Sequence, residues 1–80
     1  MMHSVSMPTQ MPTADIPRLI SVFKRVGQSV QIGDILFAYC SDGAHLEERS
    51  CVAGEIKAVL FDDGDAVSGG VPIIIIEERD

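Results

Sequence analysis

The feature that most constrains this chain is an internal repeat. Residues 19–33 lie onto residues 56–70 without a gap, at the offset that separates Gly27 from Gly64. Val22 meets Val59, Gly27 meets Gly64, Val30 meets Val67 and Gly33 meets Gly70. Beyond them residues 36–39 meet residues 73–76, apolar on apolar at most positions. Each copy reads strand, glycine turn, short strand, glycine turn, strand. A unit this short buries little by itself, so two matched copies predict one closed, all-β structure with an internal pseudo-twofold relation.

Between the copies lies the second constraint, an Asp42-Gly43 step flanked by apolar runs. A two-residue type I′ hairpin turn needs positive φ at both central residues, and Gly adopts it at little steric cost. The sequence therefore predicts a central hairpin of residues 35–40 and 44–51 with Asp42-Gly43 at its exposed apex. In that register Tyr39 faces Leu46 on the buried side, Cys40 faces His45 and Cys51 faces Asp34. The cysteines then lie beyond disulfide reach, since each residue of strand adds about 3.3 Å. Two free thiols follow.

Along the rest of the chain, residues 4–7 form a first strand ended by Pro8, and Pro12 and Pro17 bound a loop that cannot be helical inside. Residues 19–24, 55–61 and 71–77 supply further strands. The run Ile73-Ile74-Ile75-Ile76 would invite aggregation at an open edge, so it is expected as a central or covered strand. No window shows helical apolar spacing. Residues 1–80 are read as one domain with residues 1–4 and 78–80 frayed.

Eighty residues bury only about 60% of the surface of the unfolded chain, which leaves one modest core and no deep catalytic cleft. A net charge of −6 with 6 basic residues argues against a nucleic-acid backbone or an anionic membrane as the main partner. Residues 1–13 show no basic segment followed by an apolar run, and residues 71–76 are far shorter than the roughly 20 residues of a membrane-spanning helix. A cytoplasmic, monomeric module is expected.

Candidate chemistry is sparse. Cys40 and His45 form a cross-strand pair, short of the four ligands of a structural zinc and without the oxyanion donors of a Cys-His nucleophile. Asp62, Asp63 and Asp65 around Gly64 lack the spacing of a calcium loop and read as a polar turn. Gly69-Gly70 has no following helix or lysine and is no phosphate loop. No catalytic residue and no metal site is predicted.

The sequence resembles the biotinyl/lipoyl carrier domains, most closely the lipoyl domain of 2-oxo acid dehydrogenase acyltransferase subunits. The resemblance rests on Met7-Pro8-Thr9-Gln10-Met11-Pro12-Thr13-Ala14, similar to an opening Met-Pro-x-x-x-Pro-Thr-Met, and on the in-register Val26-Gly27, Ile32-Gly33-Asp34-Ile35-Leu36, Ala53-Gly54, Gly64-Asp65-Ala66-Val67 and Gly70. It implies a flattened β-barrel of two four-stranded antiparallel sheets, and a swinging arm in which a lysine at the hairpin tip carries lipoyl or biotin on an amide. The lipoyl tip reads Thr-Asp-Lys-Ala. Here it reads Ser41-Asp42-Gly43-Ala44, so the position implied for the modified lysine is Gly43.

An amide needs an amine acceptor, and glycine has no side chain. The remaining lysines, Lys24 and Lys57, are expected on strands away from the tip, so no cofactor is predicted. The expected function is a non-catalytic, lipoyl-domain-like docking module of a multienzyme or biosynthetic system. Its contact hairpin comprises Ser41, Asp42, Gly43, Ala44, Glu47 and Glu48, acidic enough to suit a basic protein surface. The alternatives are a swinging-arm carrier of an acyltransferase whose lysine has been replaced, and a barrel-sandwich module of a membrane-fusion secretion protein. The last normally carries a long helical hairpin at the position of Gly43, which this chain lacks.

Overall fold

The computed structural model describes residues 1–9 and 16–79, within a molecule measuring 39 × 21 × 18 Å. Seven strands, β1 (Met2–Ser6), β2 (Arg18–Val22), β3 (Ser29–Val30), β4 (Ile35–Ser41), β5 (Ala44–Arg49), β6 (Gly54–Val59) and β7 (Pro72–Glu78), form two antiparallel sheets. One has the order β1-β7-β6-β3, the other β2-β4-β5. Side chains from both meet in one core, where Leu36, Phe37, Ile56, Ile73, Ile74 and Ile76 are fully buried. The expected all-β barrel-sandwich is the fold observed.

The repeat is visible bond by bond. Gly27 N–H donates to the Ile56 carbonyl at 2.9 Å, and its counterpart Gly64 N–H to Leu19 at 2.8 Å. Ile56 N–H returns to Gln28 at 2.9 Å, and Leu19 N–H to Asp65 at 2.8 Å. Each copy's turn is thus bonded to the other copy's strand. The four turn glycines share one backbone, with φ of 93° at Gly27 and Gly33, 90° at Gly64 and 87° at Gly70.

Bulges obey the same relation. Register shifts bracket Leu36 in the β4–β5 pairing and Ile73 in the β1–β7 pairing, which are matched positions. A bulge turns successive side chains towards one side of the sheet. Leu36 and Phe37, and likewise Ile73 and Ile74, are therefore all inside despite being sequence neighbours. The isoleucine run lies in β7, between β1 and β6, as its hydrophobicity requires.

Several details depart from the sequence reading. The second sheet has three regular strands rather than four, its eighth segment reduced to a single bridge between Arg18 and Ala66. The matched bridge, Ser29 with Glu55, extends to Val30 and Gly54. Pro17 stands where the repeat has Gly54. Val67 N–H still donates to the Pro17 carbonyl at 2.9 Å, but proline has no N–H to return. Strand β2 ends at Val22, though Phe23 N–H still reaches the Leu36 carbonyl at 2.9 Å. Strand β1 spans Met2–Ser6 rather than residues 4–7, and Glu78 N–H bonds the Met1 carbonyl at 2.7 Å. Pro12 and residues 10–14 of the opening motif lie outside the described residues.

Gly54 is the glycine that packing most firmly forbids to change, because a Cβ there would sit on the Glu77 carbonyl oxygen of β7. Gly54→Ala is expected to lose about 3 kcal/mol or more by forcing β6 from β7, measured by urea unfolding. By contrast Gly27→Ala meets open space and carries only the cost of its positive φ, about 1–2 kcal/mol.

Candidate functional site: the central hairpin

Strands β4 and β5 close with Ser41 opposite Ala44, leaving two residues in the turn. Asp42 has φ 51° and Gly43 φ 79°, the paired positive values of a type I′ turn. Tyr39 faces Leu46 and Cys40 faces His45, as the sequence predicts. Asp42, Gly43, Ala44 and His45 are exposed at the apex. A Cβ built on Gly43 meets nothing within 4 Å, so space does not exclude a side chain there. The turn's handedness is what favours glycine, by about 1–2 kcal/mol over an L-residue.

The candidate contact residues do not form one patch. Ser41 is buried, and its hydroxyl has no hydrogen-bond partner among the described residues, so only its backbone lies near the apex. Glu48 pairs with Phe37 and shares its inward-leaning side, whereas Glu47, opposite Ala38, points to the other face. Burial accordingly pushes the Glu48 carboxyl above its ordinary value. Glu47 is 3.5 Å from the Arg49 guanidinium in an exposed ion pair, which contributes little and moderates the acidity of this face. Arg49 also donates to the Gly33 carbonyl at 2.9 Å, bracing the hairpin's base. The negative apex therefore reduces to Asp42, with Glu47 on one side.

Neither lysine reaches the tip. Lys57, on β6, lies 3.3 Å from Glu55 and 3.2 Å from Glu77. The hydrogen bond that Lys57 donates to Glu77, then that to Glu55, raise its pKa and hold the amine as ammonium, the form that cannot attack an acyl donor. Lys24 follows β2 rather than lying on it, half-buried and 3.4 Å from Asp34. The backbone N–H of Gln31 at 2.9 Å, and more weakly Lys24, lower the pKa of the Asp34 carboxyl.

The other candidates serve the backbone. Asp65 accepts from Asp62 N–H at 2.9 Å, and Asp63 from Val22 N–H at 2.8 Å. Among the described residues no three His, Cys, Asp or Glu side chains converge as metal ligands. Both cysteines are free. The bulge at Leu36 displaces the expected register by one, so that Ser50 rather than Cys51 bonds Asp34, with Ser50 N–H reaching its carbonyl at 2.8 Å. Cys51 Sγ instead lies 3.7 Å from His3 Nε2, a contact across 48 residues that no local signal announces.

A barrel-sandwich of two related halves, with a two-residue hairpin turn presented between them, defines a small carrier-type domain. The chain belongs to the biotinyl/lipoyl family: the family model described as "Biotin-requiring enzyme" matches residues 3–76. It is also similar to the biotin carboxyl carrier protein of acetyl-CoA carboxylase from Haemophilus influenzae, 40% identical over 55 residues that cover 69% of this chain. The chain spans 36% of that relative's length. This relative is named as a biotin carrier, and the two matches show the biotinyl/lipoyl family as a whole rather than its lipoyl branch.

The desolvated Glu48 yields a signed pH effect. Because burial raises its folded-state pKa, ionised Glu48 lowers stability at neutral pH, and the loss vanishes once both states are protonated. Glu48→Gln is expected to raise Tm at pH 7, with the gain fading as pH falls through the raised pKa towards the ordinary glutamate value. Calorimetric scans across that range read the difference directly.

Proposed function

We propose that this domain is a non-carrying member of its family: a non-catalytic docking module that keeps the carrier shape and presents its hairpin to a protein partner of a multienzyme or biosynthetic system. The observation that supports this reading most is Gly43 at the second turn position of β4–β5, with no amine on the hairpin tip. An activated biotinyl or lipoyl acyl group would find no nitrogen nucleophile there. Lys24 and Lys57 are occupied by carboxylates elsewhere. Asp42 and Glu47 favour a partner surface with positive charge.

The open space around Gly43 supports a second reading, a swinging-arm carrier that has lost its lysine while the tip stays accessible. The two-residue turn offers no support for a membrane-fusion module built around an inserted helical hairpin.

Incubation with biotin–protein ligase, biotin and ATP, and separately with lipoate–protein ligase, lipoate and ATP, tests the first reading by intact mass. No gain is expected, and one biotinyl or lipoyl increment would overturn it. Gly43→Lys then separates the two readings. Efficient loading of that variant favours the replaced carrier, whereas an unmodified variant that retains its strand circular dichroism favours the docking module.

A further inference from the structure

Away from the hairpin, a groove of about 480 Å³ opens where the two repeats meet. The first copy lines it with residues 22 and 24–26, the second with residues 59 and 61–63, which are the matched positions. The pseudo-twofold axis therefore passes through the groove. Half-buried Val22, Val59 and Phe61 supply its apolar surface. Of the charged groups, Lys24 is engaged by Asp34 at 3.4 Å, and Asp63 accepts the Val22 N–H at 2.8 Å. The Arg25 guanidinium and the Asp62 carboxylate have no hydrogen-bond or ion-pair partner among the described residues. These two occupy equivalent repeat positions, on opposite sides of the axis, with opposite charge.

We infer that this groove is the contact face of an isologous dimer of the chain. A twofold axis lying in the contact plane, perpendicular to the line from Arg25 to Asp62, sets each Arg25 over Asp62 of the partner subunit. It makes that pairing twice and brings the two apolar surfaces together. An unrelated partner would have to present a carboxylate and a cation at the same separation, whereas a second copy does so by construction. The net charge of −6 opposes approach at long range. A Debye length of about 8 Å at physiological salt screens that repulsion, while pairs in the closed groove are screened less. Association is therefore weak and concentration-dependent, a departure from the monomer that the sequence suggests.

Sedimentation equilibrium at physiological salt, up to about 1 mM chain, is the test. The mass of the unmodified chain is expected to rise from 8.6 kDa towards twice that value. R25D and D62R should each weaken self-association at least about tenfold, since like charges then face one another. The double variant R25D/D62R, whose net charge is unchanged, and an equimolar mixture of the two single variants should associate again. A chain that stays monomeric throughout, single variants that associate undiminished, or a mixture that remains monomeric would each overturn the inference. If a reversal loses its strand circular dichroism, R25Q and D62N replace it, each expected to weaken association and each overturning the inference if it does not.

Discussion

Everything in this fold depends on reciprocal backbone bonding between its two halves. Gly27 and Gln28 of the first copy exchange bonds with Ile56 of the second, and Gly64 and Asp65 of the second exchange bonds with Leu19 of the first. The turn of one half thus satisfies strand groups of the other, groups that in an isolated half would remain unpaired at an edge. Hydrophobic burial follows the same exchange. The core needs Leu36 and Phe37 from one copy and Ile73 and Ile74 from the other, and the matched bulges turn each pair inwards.

The symmetry is imperfect where the residues differ, and the differences are informative. Pro17 in place of a glycine shortens one ladder to a single bridge. The gap between β7 and β1 in one half corresponds to the closed hairpin turn in the other, so Asp42-Gly43 is the singular feature of an otherwise duplicated chain. A two-residue turn with both φ values positive is an apex defined by its backbone more than by side-chain contacts. What it presents to solvent is its shape and the Asp42 carboxylate. Glu47 and Glu48, adjacent in sequence, leave by opposite faces.

Much of this architecture is legible from residue order. The matched glycines announce the repeat, Asp42-Gly43 announces the hairpin, and the isoleucine run announces a central strand, because each is a local requirement of backbone or burial. The matching family, covering residues 3–76, agrees with the resemblance carried by those same positions. Less legible were the bulges. A one-residue shift at Leu36 moved Cys51 away from Asp34, since register beyond a bulge depends on packing against the opposite sheet. The candidate contact residues were named from the sequence, which did not show how they are distributed. Ser41 proved buried, and the acidic residues did not converge.

The sequence by itself determined the duplicated strand order, the hairpin turn and the absence of an amine at its tip, because turn handedness and side-chain chemistry are properties of single residues. Only the tertiary structure decided what came to lie together: Lys57 held between Glu55 and Glu77, His3 beside Cys51, and Arg25 across a shared groove from Asp62. Apart from Glu55 and Lys57, which are two residues apart, those neighbours are far apart along the chain. Their meeting depends on how two sheets close over one core, which no local pattern encodes.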